Sequence, residues 1–210
     1  MNLKVTISTV GAIIGIAGIE HGVGEVLQGN KSTEGIFIKS WPDSKLYEIL
    51  NGEPAITILP NYYLAGVLTI IISILFILWI VFYVESINAK YNSLILITFS
   101  LGLLLVGGGM APPIIGTLMS LFIGKIKPHS VTKQEKERTW LHRVWLGSYL
   151  FCGGSFLMLW PGLIIIGTAI ELTDPIIVLT LIVGAFSSLL VTLVVATTLE
   201  KKSFSRLMAN

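Results

Sequence analysis

The sequence predicts an all-α fold: one transmembrane domain over residues 1–210, built as a polytopic bundle of six spans, with five as the alternative. Three observations predict it. Hydrophobic residues make up 53% of the chain and charged residues only 12%, and the mean hydropathy is +0.83. A soluble domain of this length carries about 25% charged residues to wet its surface, so lipid has to be the solvent here. The apolar residues also fall into runs near the ~20 residues that cross roughly 30 Å of hydrocarbon. Finally, residues 92–124 carry no charge at all, yet Gly and Pro interrupt them midway.

The first span is expected over 5–27. Lys4 and the apolar run after it resemble a signal peptide, but the run ends in Ile19-Glu20-His21 without a small-residue cleavage site. It is therefore read as a retained helix. Residues 28–60 form an interfacial loop. Within it, Trp41-Pro42-Asp43-Ser44 reads as a helix start and Lys45–Leu50 as an amphipathic stretch lying on the membrane. Ala55–Leu59 is apolar, too short to span, and bounded by Pro54 and Pro60, which suggests a lid folded over the bundle. The second span, 61–84, has Tyr62 and Tyr63 at one end and Trp79, Phe82 and Tyr83 at the other, where aromatic rings meet headgroups.

At 1.5 Å per residue, a single helix over 92–124 would measure about 50 Å, too long for one straight crossing. Gly107-Gly108-Gly109-Met110-Ala111-Pro112-Pro113 lies inside the run. The glycines remove helix propensity and the prolines remove backbone donors. This predicts a helical hairpin with spans at 92–106 and 113–126. A fifth span is expected over 144–170, with a kink at Trp160-Pro161, and a sixth over 175–199, opened by Thr173-Asp174-Pro175.

Lys125, Lys127, Lys133, Lys136, Arg138 and Arg143 mark the 125–143 loop as cytoplasmic, and Lys201, Lys202 and Arg206 do the same for the C-terminus. The expected location is the cell membrane. The count of inside charges hardly differs between five and six spans, so helix length decides for six. That choice brings the end of the first span, the 28–60 loop, the Gly107–Pro113 turn and the Glu171–Asp174 turn to the outer face.

The candidate site is the polar cluster in the first span. His21 and Glu25 are four residues apart and share a helix face. With Glu20 they put three ionisable groups into an apolar helix, at a cost of roughly 2.5 kcal/mol or more each if they faced lipid at mid-bilayer. Gly11, Gly15, Gly18 and Gly22 form a strip on nearly the same side, along which another helix can approach closely. The expected ligand-binding residues are His21, Glu25, Glu20, Glu53 and Asn61, with Gly107, Gly108, Gly109, Pro112 and Pro113 as a backbone turn near the site. The plainer alternative is that the helix ends near Glu20 and these side chains are wet.

No metal and no cofactor are expected. His21 has no second histidine near it, because His129 and His142 fall on the cytoplasmic side. The single cysteine, Cys152, excludes an internal disulfide and a CxxC pair. Ser155 has no histidine on a later span, so a serine–histidine dyad is unsupported. The expected partners are the lipid bilayer, a small solute, ion or lipid, and a second copy of the chain; the net charge of +2 argues against nucleic acid.

Three function classes fit. The leading one is a protein that binds, and moves, a polar solute or ion at the Gly-rich His/Glu pocket near the outer face. The others are an intramembrane enzyme using His/Glu acid–base chemistry on a lipid-like substrate, and a helical subunit of a larger membrane complex.

Overall fold

The computed structural model describes residues 2–41, 53–84, 89–126, 140–159 and 175–209. Among them are six helices: α1 (Asn2–Val26), α2 (Tyr62–Phe82), α3 (Ala89–Val106), α4 (Ala111–Ile123), α5 (Trp140–Leu157) and α6 (Pro175–Ala209). Three stretches are long and apolar enough to cross a membrane: α1, α2 and Leu179–Lys202 within α6. The protein is accordingly a membrane protein. α3 and α4 are shorter apolar helices, and α4, with 13 residues, is about 20 Å long.

α1 is the central post. It packs against α2, α4, α5 and α6. Its apolar window is 56% buried, against 39% for α2 and 33% for α6. A helix with little lipid contact can carry charged groups that would be costly on the outside of the bundle.

The glycine strip sets the closest of these contacts. α2 runs antiparallel to α1 along it, with Ile80 over Gly11, Ile77 over Gly15, Ser73 over Gly18, and Gly66 and Ile70 over Gly22. On its other side α1 is held to α5 by polar groups. Trp145 Nε1 donates to Thr6 Oγ1 at 3.0 Å, and the Tyr149 hydroxyl lies 2.9 Å from Thr9 Oγ1. Trp145 and Tyr149 stack with centroids 5.3 Å apart.

The 92–124 run is a helical hairpin. α3 and α4 pack on each other, with Ser93 Oγ donating to Ser120 O at 2.9 Å near one end and Gly116 against Ser100 further along. The turn follows from its residues. Gly107 has φ +112°, and Gly108 N–H donates to Leu103 O at 2.7 Å, which closes α3 in a Schellman-type end. Gly109 also has positive φ, +76°. Pro112 and Pro113 then sit in the first turn of α4, where backbone N–H groups lack intrahelical partners anyway.

The hairpin predicts a cross-link. A Cβ at Gly116 would lie 3.4 Å from Ser100 Cβ, close to the spacing of a disulfide. Ser100→Cys/Gly116→Cys, made in a Cys152→Ser background, should oxidise to an intramolecular disulfide and shift mobility on a non-reducing gel. One continuous helix would hold the two positions roughly 24 Å apart and would give no such product.

The all-α expectation needs one correction. The loop between the first two spans contains an antiparallel strand pair, β1 (Phe37–Ser40) and β2 (Glu53–Ile56), in register Phe37↔Ile56 through Ser40↔Glu53. The cause is alternation: Ile38 and Ser40 are buried while Phe37 and Lys39 are exposed. That period of two suits a ribbon covering a surface. The ribbon continues onto the hairpin, where Ile58 N–H donates to Leu105 O at 2.9 Å and Thr57 bridges Val106. Thr69 Oγ1 reaches Val106 O at 3.3 Å. Leu103, Leu105 and Val106, in the last turn of α3, therefore have partners for carbonyls that the helix itself leaves open.

Other boundaries differ from expectation. α6 continues ten residues past 199, because Glu200, Lys201 and Lys202 suit a helix leaving the membrane as well as they suit a loop. α5 begins at Trp140, four residues before the expected 144. The rest of the 144–170 span, the Trp160-Pro161 kink, the Glu171–Asp174 turn, the Lys45–Leu50 stretch and most of the 125–143 loop lie outside the described residues.

Candidate functional site

The site lies where α1, the β ribbon and the α3–α4 turn meet. α1 supplies three of its four ionisable side chains. The helix does not end near Glu20; it runs to Val26 and closes at Gly29, which has φ +75°. His21 is 1% exposed and Glu25 0%, so these side chains are not wet at a frayed end. Glu20 is half-buried.

The ribbon supplies the fourth. Glu53 opens β2, and its Oε2 lies 2.7 Å from His21 Nδ1. This is ion-pair distance. Opposite Glu53 in register, the buried Ser40 donates through Oγ to Glu25 Oε1 at 3.2 Å. The paired residues at the end of the ribbon thus reach two groups one turn apart on α1. Gln28 fixes the ribbon in place, donating from Nε2 to Lys39 O at 2.9 Å and to Gly24 O at 3.3 Å. Trp41, at φ +52°, lays its indole over Gly24, where a Cβ would come within 2.7 Å of Cδ1. The indole also faces Glu20.

The glycine turn forms the third wall. A Cβ at Gly109 would lie 2.9 Å from His21 Cε1 and 3.0 Å from Nδ1, and one at Gly107 would strike the Glu25 carboxylate. Both glycines have positive φ, so backbone conformation and space select glycine together. Gly107, Gly108 and Gly109 are buried, as are Pro112 and Pro113; this is not a turn exposed at the surface.

Each residue expected from sequence can now be located. Glu20, His21, Glu25 and Glu53 come together, with Gly107 and Gly109 against them. Asn61 does another job: it caps α2, its Oδ1 accepting from Leu64 N–H at 2.8 Å. Its place directly before an apolar helix was the sign of a cap. Ser40, Trp41, Gln28 and Gly24 were not anticipated. Nothing in the Ile36-Phe37-Ile38-Lys39-Ser40 stretch, three apolar residues followed by two polar ones, singles out Ser40 or Trp41.

The site's chemistry follows from what is left unpaired. Both Glu20 oxygens, His21 Nε2, Glu25 Oε2 and Trp41 Nε1 are buried without a hydrogen-bond partner in the protein. Native interiors hold few such atoms, and each one calls for an explanation. Three carboxyl groups face one imidazole, so oxygen atoms outnumber the nitrogens that can donate to them. One ligand atom each from Glu20, His21 and Glu53 lie within 4.8 Å of one another.

A groove of about 560 Å³ runs nearby, lined by residues that include Gln28, Thr33, Ile36, Phe37, Lys39 and Tyr62. Its lining includes none of the four clustered groups.

The chain matches no protein-family model, no curated protein and no solved structure.

Proposed function

We propose that this chain is a six-span protein of the cell membrane that binds a small cation, or the cationic group of a polar solute, in the acidic pocket at the outer end of α1, and serves its movement across the bilayer. One observation carries the reading: Glu20, His21, Glu25 and Glu53 converge beneath the ribbon with four of their polar atoms buried and without a hydrogen-bond partner in the protein. Anionic acceptors inside a membrane protein need a partner charge, and they mark ion and substrate paths. The glycine turn and the broken α3–α4 run support the same reading, since non-helical backbone at membrane depth is tolerated where it lines a polar cavity. The basic residues of the 125–143 loop and the C-terminus support a cytoplasmic position for both, which puts the pocket outside.

Glu20→Gln is the cleanest test. Glutamine keeps the size of Glu20 and one carbonyl acceptor, so the exchange should leave the fold's unfolding temperature within a few degrees. Wild-type protein in detergent should be stabilised by at least one member of a panel of sodium, potassium, calcium, manganese, zinc and methylammonium ions. Glu20→Gln should lose that stabilisation. A wild type indifferent to the whole panel, or a variant that responds equally, would refute the reading. Sidedness is checked at Met110, 38% exposed in the turn. Met110→Cys in a Cys152→Ser background should react with an impermeant maleimide added to intact cells; reaction only from the cytoplasmic side would sink the six-span arrangement.

A further inference from the structure

We infer that the cation held at this site is a divalent first-row transition metal, with Glu20, His21 and Glu53 as its protein ligands; the inference rests on the cation-binding reading above. Sequence alone offered His21 and neighbouring acids on one helix, without a second histidine. The fold changes that count by bringing in Glu53 from β2, more than thirty residues away in the chain.

The geometry is close to a closed ligand set. Ligand atoms about 2.1 Å from one tetrahedrally bound ion lie about 3.4 Å apart. Here the three candidate atoms lie within 4.8 Å of one another, so side-chain rotations that draw them in by roughly 1.4 Å complete the set. His21 Nδ1 and Glu53 Oε2, 2.7 Å apart, already converge from two different elements.

The donor types choose the class of ion. An imidazole nitrogen argues against calcium and magnesium, which take oxygen ligands. The absence of thiolate and thioether among the three argues against Cu(I). One imidazole with two carboxylates suits Zn²⁺, Mn²⁺ or Fe²⁺ and leaves positions open for water. Two carboxylates also balance a divalent charge without a further anion.

The surroundings fit outer-sphere roles. Glu25 is fully buried, carries an unpaired Oε2, and is fixed through Oε1 by Ser40, so it can accept from a metal-bound water. The Trp41 indole N–H, itself unpaired, faces Glu20 and can orient that carboxylate.

The test uses the full chain in detergent, stripped with chelator and titrated with Co²⁺, whose visible absorption reports its ligands. We expect one Co²⁺ per chain, an absorption change saturating at that ratio, and displacement by Zn²⁺. Glu20→Gln and Glu53→Gln should each weaken binding by about 100-fold or more, and Glu25→Gln, acting through water, by about 10-fold. His21→Gln should also shift the absorption, since a nitrogen ligand is lost. If His21→Gln fails to fold, the two glutamate variants carry the test alone. Calcium, sodium or methylammonium binding without Co²⁺ or Zn²⁺ binding would overturn this inference and leave the cation reading standing. Co²⁺ binding with unchanged affinity and spectrum in both glutamate variants would place the metal elsewhere and overturn it too. A wild type that binds no cation at all would remove both.

Discussion

Gly66→Ala should cost the protein about 3 kcal/mol, which for a chain of this size is a fall of roughly 6–12 °C in the unfolding midpoint. The reason is what the added methyl would meet. A Cβ at Gly66 would come 2.7 Å from Val26 N and press on Gly22 O, while one at Gly22 would come 2.7 Å from Gly66 O. These are backbone atoms of helices already in contact, and they cannot rotate away. Gly11 is the control. The three atoms nearest its Cβ would all belong to the Ile80 side chain, which can shift where backbone cannot, so Gly11→Ala should cost less than Gly66→Ala, by about 1 kcal/mol or more. Fluorescence-detected chromatography of heated samples gives both midpoints. If Gly66→Ala and Gly11→Ala lose equal stability, the backbone contact between α1 and α2 is not what the geometry describes.

The second large effect belongs to His21. In chelator-treated protein, His21→Ala should lose about 3–5 kcal/mol, because it leaves the buried end of the site to carboxylates alone. Its sign as a paired effect is checked by adding Glu53→Gln. With the carboxylate at 2.7 Å neutralised, the loss of the imidazole should matter less, and the double variant should be more stable than the two single losses together imply by about 1 kcal/mol or more. Additivity within about 0.5 kcal/mol would mean that the two side chains do not act as a pair. The cycle separates a clamp from a ligand. A large coupling without metal shows that His21 holds the ribbon down as well as offering a nitrogen.

The helices were legible in the sequence because lipid imposes a simple rule: apolar runs of the right length, broken where glycine and proline cluster. The 92–124 run could be split correctly for that reason, since length excluded one helix and Gly107-Gly108-Gly109 with Pro112-Pro113 marked the turn. The glycine strip was legible too, because spacing alone puts Gly11, Gly15, Gly18 and Gly22 on one side. Which helix would use it was not, since α2 carries only Gly66 as a matching small residue at the closest point. The ribbon was less legible still. Four-residue strands leave too few alternations to stand out in a loop, and their pairing partners lie across the 41–52 segment. His21 and Glu25 could be picked out because charge is costly in an apolar helix. Ser40 and Trp41 could not, because a serine and a tryptophan are unremarkable at an interface. Asn61 is a different case: its place directly before an apolar span marks a helix cap, and it caps α2.

The bond between Ile58 N–H and Leu105 O, with the Thr57–Val106 bridge beside it, has a mechanical consequence. Glu53 rides on β2, and β2 is joined through main-chain bonds to the end of α3, from which Gly107 and Gly109 hang. The carboxylate wall and the glycine wall are therefore one jaw, and α1, pinned to α5 through Thr6 and Thr9, is the anvil it closes on. Lifting the ribbon drags the glycine turn with it, so any opening of the jaw loosens the grip on His21 and on Glu25 in a single stroke.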